Sequence, residues 1–301
     1  MLAVSNGHHP DLRAALQHLL SSGGKRVRPT VALLTGGMLD ADPEKLITLA
    51  AAIELLHTAT LVHDDLIDGS LLRRGIPTLN SQWSPAATVL TGDYIFARAA
   101  KLASETDSVE VMQLFADTLA TIVNGEITQM FSYHGRSNRE EYFSRIYAKT
   151  ASMFELATSA AAVLSPFYEQ TIDSVRSYGY DIGMAFQIID DVLDFTGSPD
   201  TVGKPVANDL KQGLITLPTI YFMEEFPDNP EIKLIQGGIL FDESRLSRLA
   251  MAIRESEAID KSISEARLFV EHAQVTLSDL PQTVERQALE DLANYIIQRH
   301  S

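Results

Sequence analysis

MAFQIIDDVLDF, residues Met184–Phe195, decides the fold. Ile188, Val192 and Phe195 recur at helical spacing, and three carboxylates, Asp190, Asp191 and Asp194, are set within that apolar stretch. The same arrangement occurs upstream in LLHTATLVHDDLID, Leu55–Asp68, as Asp64, Asp65 and Asp68, with 190 − 64 = 126 residues between the copies. Both read DDxxD, and in each the first and third Asp fall one turn apart on one helix face. Three carboxylates so close repel one another, and at neutral pH they need a counter-charge or must hold protons. Hard divalent cations supply that charge, and Mg²⁺ takes only a few carboxylates alongside substrate phosphates. Two facing triplets would form a cage for metal-bound diphosphate. One copy alone reads as an acidic surface stripe; the pair reads as chemistry.

Outward from these two segments the helical period continues. It predicts helices over 10–20, 27–39, 43–68, 85–103, 107–131, 138–164, 166–195, 215–226, 242–257, 259–278 and 282–299, and no stretch alternates like a strand. Asp107, Asn138 and Ser165-Pro166 are suited to helix starts. With no linker-like shift in composition, the expectation is one all-α bundle, a single domain over 1–301. The Gly/Pro-rich stretch TGSPDTVGKPVANDLKQG, residues 196–213, is long for a helix connection and reads as a lid beside the second triplet.

Composition excludes several classes. The net charge of −16 argues against non-specific nucleic-acid binding and against electrostatic docking on an anionic membrane. The absence of cysteine excludes disulfides, thiolate nucleophiles and Cys-ligated zinc, and is compatible with a cytoplasmic location. Charge interrupts the apolar runs before roughly 18 residues, so no transmembrane anchor is expected, and no signal peptide is visible at the start. The basic residues sit in islands: Lys25-Arg26-Arg28, Arg73-Arg74, and Lys204 with Lys211.

Each island has two readings. Arg73-Arg74, held by Gly75 and Pro77, can grip phosphate through paired hydrogen bonds, or can cap a helix end. Lys25 and Arg28 follow two glycines at a helix start, which suits an anion, although Gly-Gly is also simply a loop. His57 lies two turns before Asp64 on the same face. Lys149-Thr150 lie mid-helix, where a lysine often snorkels to solvent. Gln187, three residues before Asp190, lines the second triplet's face or satisfies backbone.

GGKRVRP, LLHTATLVHDDLIDGSLLRRG, GDYIFARA, GEITQ, KTASMF, FQIIDDVLDFTG and GKPVANDLKQGLITLP, in that order and with the ending NYIIQR, resemble the trans-isoprenyl diphosphate synthases, the polyprenyl synthetase family. The resemblance spans nearly the whole chain. It implies an isoprenoid-synthase-type helical bundle around a central cavity, a homodimer, and about three Mg²⁺ ions per active site. By position it implies that Asp64, Asp65, Asp68, Asp190, Asp191 and Asp194 serve the metal. Arg73, Lys149, Lys204 and Lys211 would hold the allylic diphosphate, and Lys25, Arg28, His57 and Arg74 that of isopentenyl diphosphate. Thr150 and Gln187 would line the reacting end. Leu214, Ala207 and Gly69 depart from the family's usual residues at those positions.

The resemblance also bears on product length. Ala59 and Thr60, one turn before the first triplet, are small where short-chain synthases often carry Phe or Tyr. An open tunnel and a product longer than geranylgeranyl follow; the alternative is that both residues merely pack against a neighbouring helix and the product is farnesyl or geranylgeranyl diphosphate. Terpene cyclases fit less well, because they rarely carry two DDxxD motifs and have aromatic-rich pockets. A subunit of a heteromeric synthase is a further alternative. A calcium-binding scaffold leaves the ordered basic residues without a role.

Overall fold

The computed structural model describes residues 9–21, 23–73, 75–131, 138–197, 207–236 and 243–299. Its helices in chain order are α1 (Pro10–Ser21), α2 (Val27–Met38), α3 (Pro43–Ile67), α4 (Leu79–Gln82), α5 (Pro85–Ser104), α6 (Val109–Phe131), α7 (Arg139–Ile146), α8 (Ser152–Val163), α9 (Tyr168–Thr196), α10 (Asn208–Lys211), α11 (Leu217–Glu225), α12 (Pro230–Gln236), α13 (Glu243–Glu255), α14 (Ala258–Ser278) and α15 (Val284–Gln298). The only strands among the described residues are a two-residue hairpin, β1 (Leu72–Arg73) and β2 (Ile76–Pro77), paired antiparallel between α3 and α4. The chain forms two compact units: Met1–Asp117 with Leu156–Ile172, and Thr118–Glu155 with Asp173–Ser301.

In the first unit, α3 packs along α5 and against α2. Asp42 starts α3, accepting hydrogen bonds from the backbone N–H groups of Glu44 and Lys45 at 3.0 Å, with Pro43 in the first turn. Leu49, Ile53 and Leu56 of α3 are fully buried, each worth about 1.5–3 kcal/mol in transfer from water. This helix is long and apolar enough to cross a membrane, contrary to the expectation from the interrupted apolar runs. However, 61% of its most apolar 18-residue window is buried within the protein, which is the signature of a core helix.

In the second unit, Asn138 starts α7 through a capping box with Glu141, the two side chains and backbones exchanging hydrogen bonds of 2.9 and 3.3 Å. The helix expected over 138–164 is not continuous: Tyr147–Ala151 forms a π-helical turn between α7 and α8. Two glycines let neighbouring helices approach it. A Cβ at Gly183 of α9 would lie 2.5 Å from Ala151 Cα, and one at Gly125 of α6 would lie 2.5 Å from Ala148 Cβ. Such single π turns recur at functional sites, and this one carries Lys149 and Thr150.

Candidate active site

The first acidic triplet lies at the end of α3. Asp68 closes the helix, its N–H donating to the Asp64 carbonyl at 2.8 Å. Asp68 is exposed, Asp64 is half-buried, and Asp65 turns inward to 7% exposure. Arg73 reaches Asp65 from the hairpin, donating to Oδ1 through Nε at 2.8 Å and lying 2.7 Å from it through Nη2. The hairpin is held for this contact. Gly75 takes the left-handed φ of 74° in its turn, and Thr78 Oγ1 and Asn80 Nδ2 both donate to the Ser70 carbonyl at 2.7 and 3.0 Å.

Upstream on the same helix, His57 Nε2 lies 3.4 Å from Arg28 Nη1, so two of the expected diphosphate ligands do come together. Lys25 is exposed nearby in sequence. Arg26, in the left-handed region at φ 50°, is spent on the buried carboxylate of Glu54. Ala59 and Thr60 are both buried, and Thr60 Oγ1 donates to the His57 carbonyl at 2.9 Å. Arg74 and Lys204 lie outside the described residues.

The second acidic triplet is carried on α9. The three carboxylates of DDVLD have different surroundings. Asp190 is half-buried and pairs with Arg299, whose Nη2 is 2.8 Å from Oδ1 and whose guanidinium lies 4.7 Å from the Phe186 ring centroid. Asp191 is 3% exposed. Its Oδ2 accepts from Tyr142 and its Oδ1 from Gln187 Nε2, both at 2.8 Å. Burial and the nearby Asp209 push this carboxyl's pKa up, against the Gln187 and Tyr142 hydrogen bonds and the charge of Arg145. Asp194 accepts from the backbone N–H groups of Asn208 and Asp209 at 3.1 Å each, fastening the chain where α10 begins.

The carboxylates expected to serve the metal also have protein partners. Asp65 pairs with Arg73, Asp190 with Arg299, Asp191 with Tyr142 and Gln187, and Asp194 with the start of α10. Among the described residues no group of three or more His, Cys, Asp or Glu side chains gathers into a metal-binding cluster.

In the second unit, Lys149 Nζ lies 2.7 Å from Glu126 Oε1 of the GEITQ segment. Thr150 Oγ1 donates to Gln187 Oε1 at 2.6 Å. Lys211 is half-buried in α10. Two residues here were not read as site residues from the sequence, Tyr142 and Arg299. The signal for Arg299 was present in NYIIQR; for Tyr142 nothing in the spacing pointed to it.

The sequence model of the polyprenyl synthetase family matches residues 9–247. Heptaprenyl diphosphate synthase component 2 of Geobacillus stearothermophilus is 36% identical over 298 residues, 99% of this chain and 92% of that protein. The crystal structure of heptaprenyl diphosphate synthase from Staphylococcus aureus superposes with a TM-score of 0.93 at 32% identity, covering 100% of this chain and 95% of that one. A polyprenyl synthase from Caulobacter crescentus CB15, complexed with calcium and isoprenyl diphosphate, gives 0.93 at 33% identity, covering 100% and 92%. The fold is the all-α isoprenoid-synthase fold, and the chain belongs to the polyprenyl synthetase family of trans-prenyltransferases.

Proposed function

We propose that this chain condenses isopentenyl diphosphate with an allylic diphosphate, head to tail and all-trans, and extends the product beyond geranylgeranyl length. The observation that carries the reaction class is that each acidic triplet is paired with a fixed basic group. Arg73 stands against Asp65 and Arg299 against Asp190, within a chain matched by the family along most of its length.

The donor set fits Mg²⁺. Carboxylate oxygens are hard donors, and Mg²⁺ takes few of them where substrate phosphate oxygens complete its shell. We assign all six carboxylates, Asp64, Asp65, Asp68, Asp190, Asp191 and Asp194, to the metal. When bound, the ion neutralises charge on the departing diphosphate. The Caulobacter relative was crystallised with calcium and isoprenyl diphosphate, which supports a divalent ion at this kind of site.

The chain's own groups do the rest. Arg73, Lys149 and Lys211 stabilise the leaving diphosphate as the allylic C–O bond breaks. Lys25, Arg28 and His57 hold isopentenyl diphosphate so that its double bond meets the cation, and Arg74 and Lys204 are assigned to the same tasks from the sequence. Thr150 and Gln187 line the reacting carbons and keep water from them. The released diphosphate takes the proton.

Small residues at Ala59 and Thr60, and relatives named for heptaprenyl products, support the long product. An exposed apolar stripe on α6, Val123, Ile127, Met130 and Phe131, supports pairing with a second copy. We place the enzyme in the cytoplasm. A second reading follows from the Geobacillus relative's name, component 2: this chain is the acid-bearing subunit of a two-component synthase. The test is incorporation of labelled isopentenyl diphosphate into farnesyl diphosphate by the purified chain with Mg²⁺. Activity lost by at least 100-fold in Asp64→Ala and in Asp190→Ala supports the proposal; no incorporation by the unaltered chain alone contradicts autonomous synthesis.

A further inference from the structure

Three hydrogen bonds in the second unit lead from Tyr142 to Thr150. The fully buried Tyr142 hydroxyl donates to Asp191 Oδ2 at 2.8 Å, Gln187 Nε2 donates to Asp191 Oδ1 at 2.8 Å, and Thr150 Oγ1 donates to Gln187 Oε1 at 2.6 Å. In this geometry Gln187 turns its NH₂ to Asp191 and its oxygen to Thr150. A threonine hydroxyl has a single proton, and here Gln187 takes it. What remains on Thr150 Oγ1 is lone-pair density alone.

We propose that Tyr142 is a positioning residue for prenyl transfer: by holding Asp191 it fixes the Gln187 amide, and thereby leaves Thr150 facing the reacting carbon with lone pairs only. This rests on the prenyltransferase reading above and goes beyond it, because Tyr142 touches no substrate. Oxygen atoms whose dipoles are aimed in advance stabilise a developing allyl cation with no reorganisation during the reaction. The backbone supports the arrangement. Tyr142 lies on α7 and Thr150 in the π turn that follows, so one helical segment carries both ends of the chain of bonds. The close approach of Gly183 to Ala151 brings α9, with Gln187 one turn further on, against that turn.

The test is a double-mutant cycle on the full chain, using Tyr142→Phe, Gln187→Ala and both together, with farnesyl diphosphate, isopentenyl diphosphate and Mg²⁺. Tyr142→Phe is expected to lower kcat about 10-fold with both KM values within about 2-fold. In the Gln187→Ala background the same change is expected to cost less than about 2-fold, because the groups it acts through are already cut. A Tyr142→Phe enzyme with unchanged kcat, or one that loses as much in both backgrounds, overturns the role. If Tyr142→Phe melts well below the unaltered protein, Asp191→Asn carries the same cycle: it keeps the volume but offers one acceptor where two donors converge. An active unaltered enzyme with additive losses sinks the Tyr142 role alone, whereas an unaltered chain that makes no product sinks it together with the prenyltransferase reading.

Discussion

Arg299 Nη2 lies 2.8 Å from Asp190 Oδ1, with the guanidinium stacked over Phe186. This ties the turn after α15 to the first carboxylate of the second triplet. The other terminal nitrogen, Nη1, is buried and has no hydrogen-bond partner among the described residues, so the side chain has a donor in reserve for an anion. Arg299→Ala is expected to lower kcat/KM at least about 10-fold, a loss of roughly 1.4 kcal/mol. Arg299→Lys is expected to recover only part of it, because an ammonium cannot bridge two acceptors as a planar fork does. Steady-state kinetics on the three proteins check this; equal kcat/KM in all three would leave Arg299 a structural pair only.

Product length should respond to Ala59. This side chain is fully buried on α3. Forcing Phe into a packed core costs about 1–3 kcal/mol, whereas Phe placed at the wall of a tunnel fills space the growing chain would take. Ala59→Phe is expected to keep its melting temperature within a few degrees and to shorten the product by two or more isoprene units. A large drop in melting temperature with unchanged product length would mean that Ala59 only packs.

The stripe on α6 offers a second test. Val123, Ile127, Met130 and Phe131 fall at i, i+4, i+7 and i+8 on one helix face, and Phe131 is 85% exposed. Ile127→Asp with Phe131→Glu is expected to halve the mass measured by light scattering, from dimer to monomer. An unchanged mass would assign pairing to another surface.

Asp181 on α9 is buried and lies 2.5 Å from His272 Nδ1 on α14. Burial raises its pKa, and the hydrogen bond and charge of His272 only partly oppose that rise. Between the ordinary carboxylate range and the raised value, the native state binds more protons at Asp181 than the unfolded chain does. Stability from this group therefore falls as pH climbs through that window. The melting temperature of Asp181→Asn, relative to the unaltered protein, should rise across the same pH interval. A difference that stays flat with pH would remove Asp181 from the account.

Much of this was legible in sequence, and the physical reason is local. The apolar period placed α3, α5, α6 and α9 to within two residues at each end, and Asn138 was rightly read as a helix start. What spacing could not supply was the tertiary partner. Asp190 and Asp194 share a helix face by period, yet the backbone N–H groups of Asn208 and Asp209, fourteen or fifteen residues later, claim Asp194. Asp191, one residue and about 100° further around the helix than Asp190, meets Tyr142 from α7 instead. The π turn at Tyr147–Ala151 was hidden for the same reason, since its sequence continues the helical period while its neighbours Gly125 and Gly183 lie elsewhere in the chain.

The central claim is tested most directly by sizing products. The purified chain would be incubated with Mg²⁺, farnesyl diphosphate and labelled isopentenyl diphosphate, and the products dephosphorylated and separated by length. The account predicts a ladder of all-trans polyprenols extending well past geranylgeraniol, abolished by chelating the metal. Products ending at or below geranylgeraniol would contradict the open tunnel at Ala59 and Thr60, and no elongation of any allylic primer would contradict the enzyme itself.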